Sequence, residues 1–172
     1  MIRLRMLAAV LLAFWALFAA SAGGGEEEFA RGYEAFVAGK YSEAVTLWRN
    51  AAKQGHARAQ NGLGVLYRDG DGVAKDAKTA VYWFRQSAEN GYAFGMFNLA
   101  AMYSEGTGVA RNDIEAYKWF RIASTIDYDH KAAFERDIVA KRLSAEQLAQ
   151  AEQRAQDWIN RFFFGEPAKA GR

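Results

Sequence analysis

Slid along itself by 36 residues, the chain meets its own rarest residues again. Leu63 falls on Leu99, Tyr67 on Tyr103, Gly70 on Gly106, Gly72-Val73 on Gly108-Val109, Trp83-Phe84 on Trp119-Phe120 and Tyr92 on Tyr128. The period also runs backward, from Ala80 to Ala44, Phe84 to Trp48, Ala88 to Ala52 and Gly91 to Gly55. A fixed period of this length means that one supersecondary unit is used several times. A single unit cannot bury its own apolar face, so neighbours must stack.

Each unit reads as two helices. Ala59, Leu63, Leu66 and Tyr67 recur at helical spacing, as do Ala80, Trp83, Phe84, Ser87 and Ala88. Gly70-Asp71-Gly72-Val73 is the turn between them, and Gly91 ends the second helix as a left-handed cap. Ala and Gly at Gly64, Ala80, Ala88, Ala100 and Ala116 permit close approach of helices, and the Trp-Phe pairs fill the space between units. The leading pair is expected over Phe29 to Ala38 and Tyr41 to Gln54, around a tight Gly39-Lys40 turn. The trailing pair is expected over roughly Lys131 to Arg142 and Ser144 to Phe162. Ser144 and Gln147 there form a capping box, and Leu148, Ala151, Ala155, Trp158 and Phe162 form an apolar stripe. The expected architecture is therefore an all-α solenoid of about four stacked antiparallel pairs, eight helices in all.

The two central units resemble Sel-1-like repeats, relatives of the tetratricopeptide repeat. The residues that carry the likeness run from Ala59 and Leu63-Gly64 through Tyr67, Gly70, Gly72-Val73, Asp76, Ala80, Trp83-Phe84 and Ser87-Ala88 to Gly91. The second unit, Ala93 to Asp127, departs with Ala100 for the Gly, Asn112 for the Asp and Asp127 for the closing Gly. The leading pair is closer to a tetratricopeptide unit. The resemblance implies a protein that binds other proteins, as an adaptor or regulator. Some secreted bacterial members were linked to β-lactam chemistry, but those are Cys-rich and this chain has no Cys, so that link does not carry over.

Composition narrows the function classes. The absence of Cys removes disulfide scaffolds, thiol catalysis and thiolate zinc sites. Arg3 and Arg5 precede an uncharged apolar run, Leu7 to Ala20, and Ala20-Ser21-Ala22 has the small-x-small pattern of a signal-peptidase site. A signal peptide over 1–22, cut after Ala22, is expected, with a periplasmic or secreted product. An uncleaved membrane anchor is the alternative. All 20 Asp+Glu lie beyond Gly25, so without Arg3 and Arg5 the chain has as many basic as acidic residues. A neutral chain lacks the electrostatic footprint of nucleic-acid binding. The expected division is a flexible spacer over 23–28, a repeat domain over 29–164 and a disordered tail over 165–172.

No residue set asks for catalysis, a metal or a cofactor. Asp69-Gly70-Asp71-Gly72 begins like a calcium loop but lacks the later ligands, and the Gly-x-Gly pairs lack the Lys-Ser/Thr of a phosphate loop. His56 is expected at a contact between helix pairs, and His130 at a solvated helix start. By resemblance, the first helix of each pair lines a concave face. Its inward positions fall on Arg58, Asn61, Val65, Arg68 and Asp69, then on Phe94, Phe97, Ala101, Ser104 and Glu105, with Phe29, Tyr33 and Phe36 on the leading pair. The expected site is a groove with an aromatic side (Phe29, Tyr33, Phe36, Phe94, Phe97) and polar anchors (Arg58, Asn61, Arg68). Such anchors suit a peptide or protein segment. The expectation is an exported, monomeric, non-catalytic binding module without stable membrane insertion after cleavage. A small cell-envelope hydrolase and a membrane-tethered regulator are the alternatives. Phe162-Phe163-Phe164 is a second candidate surface, since three consecutive residues cannot share one helix face.

Overall fold

The structure, a computed structural model, describes residues 25–126 and 130–165. Among them are eight helices and no strand. They are α1 (Glu26–Val37), α2 (Tyr41–Lys53), α3 (Ala57–Asp69), α4 (Ala77–Glu89), α5 (Ala93–Glu105), α6 (Asp113–Ile126), α7 (His130–Ala140) and α8 (Ala145–Phe164). Each helix from α1 to α6 packs on the next, and α3 also touches α5. This is the all-helical stack of neighbouring pairs that the repeat predicts. The closing pair departs from the pattern, because α8 packs on α6. Trp158 of α8 meets Trp119 of α6 edge to face at 5.7 Å.

The repeated residues do repeated work. Gly70 and Gly106 end α3 and α5 in the left-handed region, with φ of 88° and 75°. The second glycine of each turn has positive φ and a second duty. A Cβ on Gly72 would lie 2.7 Å from Tyr41 Cβ, and one on Gly108 would lie 2.9 Å from Ala77 Cβ. The turn therefore seats on the start of the preceding second helix, which only Gly permits. Asp76 Oδ1 caps α4 by accepting from the Lys78 and Thr79 amides, and Asn112 accepts from the Glu115 amide one period later. The exchange of Asp for Asn keeps the cap's acceptor.

The tyrosines of the motif also recur as bonds. Arg49 donates to the Tyr67 hydroxyl at 3.0 Å, and Arg85 donates to the Tyr103 hydroxyl at 2.6 Å. Each bond ties a second helix to the first helix of the next pair. In the core, Trp48, Phe84 and Phe120 occupy one position of successive units, and all are buried. Trp48 lies against both Gly32 and Gly62, and a Cβ on Gly62 would come 2.6 Å from its ring. Ser87 is buried and donates to the Ala57 carbonyl at 2.7 Å, so its hydroxyl has a partner inside the stack.

Several boundaries differ from the sequence expectation. Glu26-Glu27-Glu28, read as spacer, form the first turn of α1, which starts three residues before Phe29. Gly25 caps that helix at φ 86° and accepts from the Phe29 amide at 2.8 Å. Carboxylates at a helix start face the positive end of its dipole, which favours extension into the acidic run. At the other end α7 spans His130–Ala140, and α8 continues through Phe164 to a left-handed cap at Gly165. The Ser144–Gln147 capping box is present in both directions. The expected signal peptide over 1–22, the remainder of the spacer and residues 166–172 of the tail lie outside the described residues, as do Asp127 and Asp129 beside His130.

Candidate functional site

The first helices of successive pairs, α3, α5 and α7, carry the face on which the candidate residues converge. On α5, Phe94, Phe97, Asn98, Ala101, Ser104 and Glu105 fall at helical steps of three and four, so one stripe of α5 runs the length of this face. Two cavities open along the stripe and share Phe97, Asn98 and Lys131. The first is about 180 Å³ and is walled by Phe94, Phe97, Ala123 and Ala132. The second is about 340 Å³ and is more polar, with Arg68, Ser104, Glu105 and Glu135 at its edge.

The walls are fixed from behind. Phe97 meets the buried Phe120 ring edge to face at 5.3 Å, and the Lys131 ammonium stands 4.9 Å from the Phe97 ring centre. Phe94 is half exposed and leans on Tyr92 at 5.5 Å. Asn98 donates from Nδ2 to Asn61 Oδ1 at 2.8 Å, which ties α5 to α3 across the face. That bond uses one donor of Asn98 and the acceptor of Asn61. The Asn61 amide donors and the Asn98 carbonyl take no part in that bond, and together they are the donor and acceptor types that pair with a peptide bond. Arg68 donates through Nε and Nη2 to the two oxygens of Asp69, at 2.8 and 2.9 Å. This bond holds the Asp69 carboxyl below its ordinary range and the Arg68 guanidinium above its own. Arg68 is thus a held fork with part of its charge already answered, not an open cation.

The predicted residues divide into two groups. Arg68, Phe94 and Phe97 line the two cavities, and Asn61, which lines neither, joins them on the α3–α5 face through its bond to Asn98. Phe29, Tyr33 and Arg58 line neither cavity. Phe29 is buried, stacked 4.5 Å from His56 and 6.2 Å from Trp48, with the Arg58 guanidinium 4.5 Å over its ring. Its expected role as an exposed anchor is corrected. Close packing of α1 on Trp48 draws Phe29 inward, and Phe36 likewise rests on Trp48 at 5.4 Å. Arg58 is held as the lid of that cluster, whereas Tyr33 stays exposed.

His56 caps α3, with Nδ1 accepting from the Ala59 amide at 3.2 Å and Nε2 paired to Glu26 at 2.8 Å. The bond to His56 holds the Glu26 carboxyl below its ordinary range. Sequence reasoning missed Asn98, Lys131 and Glu135. At the 36-residue spacing Asn98 falls on Gly62, which packs on Trp48, so the repeat pointed away from it. Lys131 and Glu135 belong to α7, where the motif has faded, and only packing brings that helix to the groove. Their spacing of four was the available signal.

Among the described residues no group of His and acidic side chains is placed to hold a metal, and no helix is long and apolar enough to cross a membrane.

Comparison with known proteins agrees with this architecture. The Sel1 repeat family matches in three successive copies, residues 29–56, 57–92 and 93–128. No curated protein sequence matches. Among solved structures, a protective antigen of uropathogenic Escherichia coli with an SLR fold is 31% identical with a TM-score of 0.76, over 92% of this chain. This chain spans only 37% of that antigen. A Sel1 repeat protein from Oxalobacter formigenes is 27% identical with a TM-score of 0.61, over 73% of this chain and 97% of that one. The fold is typical of protein–protein interaction modules. With its motif matched three times over and its helices stacked in the corresponding order, the chain belongs to the Sel1 repeat family.

Proposed function

We propose that this protein is an exported, non-catalytic adaptor that holds an extended peptide or protein segment along the α3–α5–α7 face. The supporting observation is the pairing of a side-chain-sized apolar cavity with the Asn61–Asn98 amides beside it. An apolar anchor of the partner enters between Phe94 and Phe97, while the adjacent peptide bond pairs with the two Asn side chains. Because Asn98 is already bonded to Asn61 and Phe97 is already seated on Phe120, little ordering of the groove is left for the binding step. The signal-like N-terminus supports export, with cleavage after Ala22, and an intact-mass measurement on protein recovered from the cell envelope tests it.

Binding is tested with a displayed library of random extended peptides, selected on the protein and counter-screened on Phe94→Ala and Asn61→Ala. Phe94 is half exposed, so its truncation leaves the core in place. Loss of a central anchor costs about 2 kcal/mol, roughly a thirtyfold drop in affinity. Selected peptides that bind the variants as tightly as the parent place binding elsewhere and defeat the groove reading.

A further inference from the structure

The C-terminal end of α8 has a surface that the groove does not use. Rings run outward from the core in an unbroken series. Trp119 meets Trp158 at 5.7 Å, Trp158 stacks on Phe162 at 4.6 Å and 11°, and Phe162 meets Phe163 edge to face at 5.1 Å. The series ends in solvent, with Phe162, Phe163 and Phe164 exposed by 44%, 55% and 71%.

Three consecutive helical residues point in three directions about 100° apart. The tip of α8 is therefore apolar around much of its circumference. A protein groove reads one stripe of a helix, at steps of three and four. A tip that is apolar on several sides suits a medium that is apolar on all sides. Beside the tip lies a cleft of about 460 Å³ between α4, α6 and α8, walled by Trp119, Trp158 and Phe162 and carrying Lys118, Arg161 and Glu89. Glu115 bonds both Lys118, at 3.2 Å, and Arg154, at 2.7 Å, so two cations share one carboxylate. Among the described residues Arg161 makes no ion pair. Burial lowers the Lys118 pKa, Glu115 opposes that shift, and Arg154 and Arg161 add smaller lowering contributions.

We propose that the tip of α8 is a peripheral docking site for an anionic phospholipid surface, with Phe163 and Phe164 entering the interface and Arg161 meeting lipid phosphates. Aromatic rings favour the headgroup boundary, and an adjacent cation adds attraction that salt weakens. The cleft belongs to the second helices of the pairs and the groove to the first helices. A surface-bound protein would thus keep its groove open to the surrounding solution.

The test is flotation of the full chain with phosphatidylcholine vesicles, with and without phosphatidylglycerol. It compares the parent with Phe163→Ala/Phe164→Ala, with Phe164→Ala alone and with Arg161→Gln. All share residues 1–24, so any contribution of the apolar N-terminal run is common to them. The expected result is a drop of roughly tenfold in partitioning for the double variant and a smaller drop for Phe164→Ala. Arg161→Gln should lose most of the phosphatidylglycerol preference and its salt dependence. Among the described residues Phe164 makes no ring contact, so its variant reports on docking without disturbing the core. Equal partitioning of parent and double variant overturns the proposal. So does a concentration-dependent dimer that the double variant abolishes while vesicles capture neither protein, because the tip is then an interface between copies. Binding of glycerol phosphate that is equal in parent and double variant and unmatched by vesicles also overturns it.

Discussion

Gly64→Ala places the close packing of the first repeat under a single-methyl test. Gly64 is buried in the middle of α3. A Cβ there would stand 3.0 Å from Phe84 Cγ and closer still to Cδ1 and Cε1. Phe84 is fully buried, so its ring has no free direction in which to yield. On helix propensity alone, Gly to Ala in a helix interior gains about 1 kcal/mol. Overpacking a filled core costs about 1–3 kcal/mol, and a rigid ring without an exit places this site at the upper end. The net expectation is a loss of about 1–2 kcal/mol. The equivalent residue in the next unit is Ala100, which is buried against the same core. Ala100→Gly removes a packed methyl and the propensity together, and is expected to lose about 1 kcal/mol or more. Substitution toward the other repeat's residue should therefore destabilise at both positions. Urea unfolding followed by far-UV circular dichroism measures both, with the midpoint falling at an unchanged slope. A Gly64→Ala protein as stable as the parent, or more stable, refutes the packing argument, since propensity would then have won.

Three further outcomes follow from particular contacts. The Tyr117 phenol donates to Glu152 at 2.5 Å, and burial, followed by that carboxylate, pushes its pKa up to about 12. A raised folded pKa means stability that is full below pH 10 and lost as pH rises toward 12. Ultraviolet titration should show a late tyrosinate step that Tyr117→Phe removes, and complete ionisation by pH 10.5 contradicts it. The Glu26 carboxyl, lowered by its bond to His56, contributes above its unfolded value of 4.5 and loses that contribution as pH falls through the lower folded value. Glu26→Gln should flatten the acid limb of the stability curve below about pH 4.5, and an unchanged limb argues against the pair. Ser144→Ala removes the cap acceptor for the Gln147 amide and should cost about 1 kcal/mol. Hydrogen exchange should then quicken first at the start of α8, whereas uniform quickening along the chain would argue against a local cap.

The period, the helix pairing, the Gly caps and the Ser144–Gln147 box were legible in the sequence because each rests on local chemistry. Gly ends a helix where φ turns positive, Ser accepts from an amide three residues on, and apolar residues at steps of three and four make a face. These facts depend on a residue and its near neighbours along the chain. The period then carries them from one unit to the next. The start of α1 was misplaced because an acidic run reads equally as solvated coil or as a helix's first turn. Contact of Gly25 with Ala51, and of Glu26 with His56, decides between them across the fold.

The candidate site depended more heavily on contacts distant in sequence. Phe29 and Phe94 both belong to the expected aromatic side of the groove, yet one is buried under Arg58 and the other stands half exposed. Trp48 lies beneath the first ring and admits it through the close approach of α1. Asn98 gains its place from Asn61, 37 residues away, and Lys131 gains its place from a helix in which the motif has faded. The sequence by itself determined that this chain stacks helix pairs, because units that cannot bury their own faces must cover one another. Only the tertiary structure decided which rings close that stack and which remain for a partner, because burial is set by neighbours that the chain brings together from afar.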